Sequence, residues 1–130
     1  MHNVIVGWEV EFVDEFGQWW DRLSVPEQES IVPIVRLLEE YGPSLRFPHS
    51  SGITGSRHSL MRELRVQHAG RPYRILYAFD PMRAAVLLMG GDKTGDDRWY
   101  QEFIPVADSL PVADSLYDAH VAQLKREGLT

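Results

Sequence analysis

Three stretches rich in strand-forming residues stand close together in the middle of this 130-residue chain, and their spacing limits the folds available to it. The first two cover residues 61–68 and 73–79, and the Ala-Gly-Arg-Pro segment between them suits a hairpin turn. A second turn over residues 80–83 leads to the third stretch, residues 84–89. This stretch is continuously apolar, which predicts a central strand covered on both faces. The spacing therefore predicts a mainly antiparallel sheet.

The residues before this sheet predict one strand and two helices. Alternating apolar and polar residues predict a half-buried strand over residues 8–13. Apolar residues at spacings of three and four predict a short helix over residues 15–23, with Asp14 as its N-cap. Ser24 is the expected N-cap of a second helix, which ends near Tyr41 because a Gly-Pro pair follows.

The C-terminal part predicts a loop followed by an interrupted helix. Glycine and aspartate are frequent in residues 90–98, which predicts a loop, and a helix is expected to begin within residues 95–97. The hexapeptide Pro-Val-Ala-Asp-Ser-Leu then occurs twice in succession, at residues 105–116. Proline inside a helix removes a backbone hydrogen bond and costs ~3 kcal/mol. Pro111, which opens the second copy, therefore predicts a kink or a restart at residues 110–111.

These elements predict a single α+β domain spanning residues 1–130, in the order β-α-α-β-β-β-α. The expected sheet has about four strands and is accompanied by an N-terminal helical pair and a C-terminal helix. Residues 43–59 are rich in Pro, Ser, Gly and His, so we expect them to form a surface loop between the second helix and the hairpin.

The composition excludes several kinds of chemistry. The chain has no cysteine, which excludes disulfides, thiolate catalysis and cysteine-based metal sites. Its five histidines include no pair at helical metal-ligand spacing, so no metal site is expected. The longest apolar runs fall far short of the ~20 residues that span a bilayer. The N-terminus lacks the basic start and long apolar stretch of a signal peptide. We therefore expect a cytoplasmic protein with no membrane partner.

The net charge of −6 is unevenly distributed. Residues 1–40 carry a net charge of −7 and residues 101–130 carry −3, whereas residues 41–100 carry +4. Five arginines lie between Arg57 and Arg74, against one glutamate. The overall acidity disfavours a nucleic-acid partner, but a planar guanidinium group holds phosphate with two parallel hydrogen bonds. The basic centre therefore predicts a local surface that holds phosphate.

Two sequence blocks carry a family resemblance. They are MRELRVQHAGRPYRILYAF at residues 61–79 and VLLMGGDKTGDDRWY at residues 86–100. In these blocks E-L-R on one strand is paired with Y-R-I-L-Y on the next, and an apolar strand, a glycine and a lysine-bearing loop follow. This pattern resembles the RelE/ParE superfamily of toxins. Within it, the pattern is most similar to the HigB-like, phage-derived branch. The resemblance covers about residues 8–125, although Lys93 is one lysine where relatives often carry two or more.

The resemblance implies the toxin of a type II toxin–antitoxin system. Such toxins enter the ribosomal A site and act as mRNA endoribonucleases, with no metal or other cofactor, through attack of the RNA 2′-hydroxyl on the adjacent phosphate. It further implies a cognate antitoxin, commonly of the helix-turn-helix type, with the ribosome and mRNA as the other partners. The alternative is a ParE-like or degenerate member that acts by binding protein, as in gyrase inhibition, without RNA cleavage. The hexapeptide duplication adds a third possibility, a weakened activity.

The expected phosphate-binding residues are arginines of the hairpin. Arg65 and Arg74 match the family's strand arginines, and on neighbouring strands they would stabilise the charge that builds on the attacked phosphate. Strand alternation places Arg65 on the same side as Glu63, so the alternative interpretation is an ion pair with Glu63 or with an acidic residue of the first helix. Lys93 would neutralise the leaving group. Four further arginines are expected to contact RNA, namely Arg57, Arg62, Arg71 and Arg98.

The candidates for proton transfer are less well defined. His68 ends its strand, and Asp92 or Asp96 lies in the loop that follows the third strand. Tyr100 would stack on a base or donate a proton. Each has a structural alternative: a turn histidine for His68, helix capping for the aspartates and core packing for Tyr100.

Overall fold

The computed structural model describes residues 7–57, 61–80 and 84–128, and in these residues the chain forms five strands and four α-helices. In chain order the elements are β1 (Glu9–Phe12), α1 (Asp14–Arg22), α2 (Val25–Tyr41), a 3₁₀ turn (Gly42–Ser44), β2 (Ser50–Gly52), β3 (Met61–His68), β4 (Arg71–Phe79), β5 (Ala84–Asp92), α3 (Trp99–Asp108) and α4 (Pro111–Arg126). The predicted turn over residues 80–83 falls mostly on residues 81–83, which lie outside the described part. No helix within the described residues is long and apolar enough to cross a membrane.

The five strands form one mixed sheet in the order β1-β5-β4-β3-β2. The β2–β3, β3–β4 and β4–β5 pairs are antiparallel, whereas the edge strand β1 runs parallel to β5. The α+β class and the mainly antiparallel sheet are therefore confirmed, with one strand more than expected. The additional strand, β2, lies within the predicted surface loop and pairs with β3 from Ser50 to Gly52.

Helices cover both faces of the sheet. Helices α1 and α2 pack on one face, which we call the α2 face, through a core that includes Phe16, Ile31 and Leu38. Helices α3 and α4 pack on the other, the α3 face, through a core that includes Trp99 and Ile104. The side chains of β3, β4 and β5 alternate between the two cores, as the pleat of a strand requires.

Helix α2 begins as the sequence predicts, whereas α1 begins differently. The Ser24 hydroxyl accepts a hydrogen bond from the backbone NH of Glu27, and the Glu27 carboxylate accepts one from the NH of Ser24. This reciprocal pair satisfies two NH groups that have no partner inside the helix. The prediction of Asp14 as the N-cap of α1 is wrong, because Val13 holds that position and Asp14 is the first helical residue.

Strand β5 is longer than predicted because two glycines let a tryptophan approach each face. A Cβ atom on Gly90 would lie 2.4 Å from the ring of Trp19, and one on Gly91 would lie 2.6 Å from Nε1 of Trp99. Pairing with β4 continues to Asp92, which lies opposite Tyr73. The prediction of a loop beginning at residue 90 is therefore wrong. The close contact at Gly91 also fixes the start of α3 against the sheet.

The predicted interruption of the last helix is confirmed. Helix α3 ends at Asp108, Leu110 has an extended backbone (ψ 134°), and Pro111 is the first residue of α4. At this position the missing NH of proline removes no helical hydrogen bond. The first hexapeptide copy thus ends one helix and the second begins the next, and the alanine of each copy, Ala107 and Ala113, is buried.

Candidate functional site

Arg65 of β3 and Arg74 of β4 lie directly opposite each other in the register of the hairpin. Both side chains lie on the α3 face, because their neighbours Leu64 and Ile75 pack into the core on the α2 face. The two guanidinium groups differ in accessibility. The Arg65 side chain is 30% exposed, whereas that of Arg74 is only 6% exposed.

Glu63 is the acidic counterpart of both arginines. Its Oε1 accepts hydrogen bonds from Arg65 Nη1 at 2.9 Å and from the Ser51 hydroxyl at 2.8 Å, and lies 4.0 Å from Arg74 Nε. The Glu63 side chain is 5% exposed, and its Oε2 is buried without a hydrogen-bond partner among the described residues. Such an orphaned oxygen is unusual, since buried polar atoms are normally paired.

Tyr100 of α3 and Lys93 complete the group. Arg74 Nε donates a hydrogen bond to the Tyr100 hydroxyl at 3.2 Å, and Arg74 Nη1 donates one to the backbone oxygen of Tyr73 at 2.9 Å. The Lys93 ammonium lies 5.4 Å from the centre of the Tyr100 ring. Burial raises the pKa of Tyr100, so its hydroxyl is protonated at neutral pH. We call Glu63, Arg65, Arg74, Lys93 and Tyr100 the arginine cluster.

Two cavities open beside the arginine cluster. Glu63 and Tyr100 line one of about 260 Å³, together with Gly52, Ile53 and Thr54 of the segment around β2. Arg65 and Arg74 line another of about 250 Å³, together with Phe47, Pro48, Gln67 and Pro72. The cluster can therefore be approached from both sides of the paired arginines.

His68 and Asp92 lie outside the arginine cluster. His68 Nδ1 is 2.7 Å from the Ser30 hydroxyl of α2, which places its side chain on the α2 face of the sheet. Asp92 accepts hydrogen bonds from Arg71 and from the backbone NH of Thr94, so its carboxylate is used in an ion pair and a turn. Neither side chain joins Arg65 and Arg74. Asp96 accepts a hydrogen bond from the backbone NH of Arg98, as expected for an aspartate ahead of a helix.

The four further arginines do not form one surface. Arg62 donates a long hydrogen bond (3.4 Å) to Ser50, and Arg57 donates one to the backbone oxygen of Asp108 at the end of α3. Arg71 pairs with Asp92, and its guanidinium lies over the ring of Tyr73. Arg98 is exposed and directly precedes α3. None of these four belongs to the arginine cluster.

A separate polar network joins α2 to the hairpin on the α2 face. The Tyr73 hydroxyl donates a hydrogen bond to Glu27 Oε2, and Arg71 Nη2 lies 3.9 Å from the same oxygen. The hydrogen bond from Tyr73 is the main cause that lowers the pKa of Glu27 to about 2, while burial raises the pKa of Tyr73 to about 12. This network fixes the base of α2 on the strand that carries Arg74.

Sequence reasoning identified Arg65, Arg74, Lys93 and Tyr100 but gave Glu63 only the role of an ion-pair partner. Alternation along β3 places Glu63 on the same face as Arg65, two residues along the strand, and this signal was present in the E-L-R triplet. Phe47 was missed because the segment that carries it reaches the arginines only through the pairing of β2 with β3. Gln67 lies on β3 two residues after Arg65, so strand alternation places it on the same face, but no role was assigned to it.

Comparisons with known proteins agree with this fold. The sequence profile of the family described as phage-derived protein Gp49-like (DUF891) matches residues 18–110. The chain is 37% identical over 122 residues to the toxin candidate HigB2 of Mycobacterium tuberculosis, an alignment that covers 92% of this chain and 57% of HigB2. The chain thus spans little more than half the length of that relative. It is 44% identical over 100 residues to the toxin candidate HigB3 of the same organism, covering 76% of this chain and 86% of HigB3.

A solved structure gives the same result for the fold. A double-arginine mutant of the E. coli toxin RelE in the free state superposes with a TM-score of 0.55 at 10% sequence identity, covering 78% of this chain and 99% of RelE. The resemblance to the HigB-like, phage-derived branch of the RelE superfamily is confirmed by these matches. The chain belongs to the Gp49-like family of phage-derived proteins and has the fold of RelE.

Proposed function

We propose that this chain is the toxin of a type II toxin–antitoxin system and cleaves mRNA on the ribosome without a metal ion. The main observation that supports the proposal is the arginine cluster: two directly opposed arginines, a protonated tyrosine and a lysine converge on one face of the sheet. The similarity to the toxin candidates HigB2 and HigB3 supports the toxin role, and a toxin of this class requires a cognate antitoxin.

In the proposed reaction, Arg65 is the first group to bind the RNA phosphate. Its guanidinium is partly exposed and is held by Glu63 in the absence of RNA. A phosphate can replace the Glu63 carboxylate as the partner of Arg65, because a guanidinium group binds either anion through the same planar pair of NH groups. Arg74 stays in place, since Tyr100 and the backbone oxygen of Tyr73 fix its orientation.

The exchange at Arg65 also prepares Glu63 for proton transfer. When Arg65 turns to the phosphate, Glu63 loses its nearest cation and becomes a better proton acceptor. The RNA 2′-hydroxyl then gives its proton to Glu63 while the 2′-oxygen attacks phosphorus. Arg65 and Arg74 stabilise the charge on the five-coordinate phosphorus, which is the point where electrostatic stabilisation contributes most.

Tyr100 completes the proposed reaction as the proton donor. The bond between phosphorus and the 5′-oxygen breaks, and this oxygen takes the proton of the Tyr100 hydroxyl. The nearby Lys93 ammonium stabilises the tyrosinate that forms. The products are a 2′,3′-cyclic phosphate and a 5′-hydroxyl, and exchange with water returns a proton to Tyr100 and removes one from Glu63.

One observation favours the alternative of action by protein binding without RNA cleavage. In the absence of RNA the two arginines of the cluster are already paired with Glu63, and Arg74 is almost fully buried. A chain in which Arg65 never leaves Glu63 would present no free guanidinium to a phosphate. The two functions therefore differ in whether the exchange at Arg65 takes place.

The test is primer extension on an mRNA translated in a purified system, with and without the protein. We expect new 5′ ends within translated codons with the unmodified chain, and about 100-fold slower cleavage for Arg65→Ala, the loss typical of one donor to transition-state charge. Tyr100→Phe should also slow cleavage. Arg36→Ala is the matched control, because Arg36 lies on α2 away from the arginine cluster and should leave the rate unchanged.

Growth inhibition is measured in parallel. Inhibited growth without new mRNA ends would refute the nuclease and favour action by protein binding. Cleavage by Arg65→Ala at the rate of the unmodified chain would refute the role assigned to the arginine cluster.

A further inference from the structure

An exposed aromatic ring lies next to the arginine cluster and takes no part in the core. Phe47 is 70% exposed, although a buried leucine, Leu45, stands two residues before it. Its ring packs in neither core and forms one wall of the cavity that Arg65 and Arg74 also line. The Arg65 guanidinium lies 5.2 Å from the centre of this ring. We call this cavity the Phe47 pocket.

The segment that carries Phe47 is held by backbone hydrogen bonds on both sides of the ring. The backbone NH groups of His49 and Ser50 donate to the oxygen of Arg46 at 3.0 and 3.1 Å. The NH of Arg65 donates to the oxygen of His49 at 2.8 Å, which extends the pairing of β2 with β3. The ring is therefore carried by a turn that is tied to the strand of Arg65, so the backbone at Phe47 is held close to the backbone at Arg65.

The walls of the Phe47 pocket have the chemistry that a nucleobase requires. Phe47 offers a largely exposed aromatic ring with the Arg65 guanidinium over one face, and the rings of Pro48 and Pro72 add apolar surface. The exposed Gln67 side chain supplies an amide, with one donor and one acceptor group, at the wall of the pocket. Aromatic stacking binds any base, whereas an amide distinguishes bases by the donors and acceptors on their edges.

We propose that the Phe47 pocket binds an unpaired RNA base next to the phosphate held by Arg65 and Arg74, with Phe47 as the stacking platform and Gln67 as the group that discriminates between bases. The inference rests on the proposed function, since it takes RNA as the substrate. Charge complementarity supports this inference. A base that enters the pocket is linked to a phosphodiester, and the negative charge of that phosphodiester comes close to the two arginines that line the pocket.

The test measures binding of the full chain to a short, labelled single-stranded RNA with 2′-O-methyl sugars, which lacks the attacking 2′-hydroxyl and so cannot be cleaved. Phe47→Ala should weaken binding about 10- to 100-fold, the loss typical of one stacked base. Phe47→Trp should restore binding, because it keeps an aromatic face. Phe12→Ala is the matched control: Phe12 is 65% exposed but lies on the edge strand β1, among the acidic N-terminal residues.

Two further arms identify the base as the ligand. Removing the base from each RNA position in turn should yield one position at which Phe47→Ala no longer weakens binding. Gln67→Ala should reduce the difference in affinity among the four bases at that position about 10-fold. Binding of the preferred base should persist in this variant at the affinity that stacking on Phe47 provides.

The outcomes separate this inference from the proposed function. Three results would each overturn the proposal that the Phe47 pocket binds a base. They are normal RNA binding by Phe47→Ala, equal losses of RNA affinity for Phe47→Ala and Phe12→Ala, and no binding of the RNA by the unmodified chain. If mRNA cleavage persists in those cases, the proposed function stands without it. If Phe47→Ala weakens RNA binding but the unmodified chain does not cleave mRNA, the base site stands and the nuclease does not.

Discussion

Replacement of Glu63 tests whether the arginine cluster is one electrostatic unit. Glu63 is 5% exposed and faces two cations, Arg65 at 2.9 Å and Arg74 at 4.0 Å. Glu63→Ala leaves the charge of the buried Arg74 without this partner, and removal of one member of a buried ion pair costs about 3–5 kcal/mol. Glu63→Gln keeps an acceptor for Ser51 and for Arg65 and loses only the charge, so about 1–2 kcal/mol is expected.

Arg65→Ala provides the comparison within the same cluster. The Arg65 side chain is 30% exposed, so water screens its charge and its removal leaves Glu63 near Arg74. The expected loss is therefore about 1 kcal/mol or less. The free energy of unfolding should fall in the order Glu63→Ala, then Glu63→Gln, then Arg65→Ala, with the largest loss first.

Urea unfolding at neutral pH, followed by tryptophan fluorescence, measures all three variants. A double-mutant cycle between Glu63→Gln and Arg74→Met should give a coupling energy of about 1–3 kcal/mol, as for residues that share one network. A loss below about 0.5 kcal/mol for Glu63→Ala, or no coupling in the cycle, would mean that the buried charges do not depend on one another. Glu63 would then not hold the arginines as one unit, and an RNA phosphate would not need to displace it.

Two further predictions concern the scaffold. Because the folded pKa of Glu27 is about 2 and its ordinary value is 4.5, its contribution to stability is complete above about pH 4.5 and is lost as the pH falls toward 2. Tyr73→Phe removes the main cause of this shift, so urea midpoints compared at pH 7 and pH 3 should show a smaller acid loss than in the unmodified chain. Gly91→Ala would place its Cβ 2.6 Å from Trp99 Nε1 and should cost about 1–3 kcal/mol in urea unfolding.

Each scaffold prediction has its own control and refuting result. An unchanged acid loss in Tyr73→Phe would mean that the hydrogen bond to Glu27 does not set the acid stability. For Gly91→Ala the control is Gly52→Ala, since the nearest atom to a Cβ there is 3.7 Å away. Equal stability of these two alanine variants would show that the start of α3 is not held tightly against β5.

Local signals in the sequence predicted the parts of the fold that depend on local chemistry. Ser24 predicted the start of α2, and Pro111 predicted the break before α4, because capping and proline effects act within one turn of helix. Alternation along β3 placed Glu63 and Arg65 on one side for the same reason. The same alternation places His68, three residues after Arg65, on the opposite side of the strand.

The remaining features depend on contacts between distant segments. Strand β2 has the sequence Ser-Ser-Gly, which has no apolar alternation, and it becomes a strand only because β3 offers an edge. Gly90 and Gly91 favour a loop by their own preference, but they lie in a strand because the two indole rings pack so closely against them that a larger side chain is disfavoured. The bond between Tyr100 and Arg74 joins residues that are 26 positions apart, and no local pattern predicts it.

Because of the break at Leu110, residues can be inserted at the start of α4 without changing the position of α3. In an unbroken helix, six added residues would rotate everything beyond them by about 600° and alter every later contact. Because α4 starts anew at Pro111, extra residues extend it from its own beginning and leave α3, with Tyr100 in its first turn, where it was. Length and sequence in the tail can therefore change while Tyr100 keeps its hydrogen bond with Arg74.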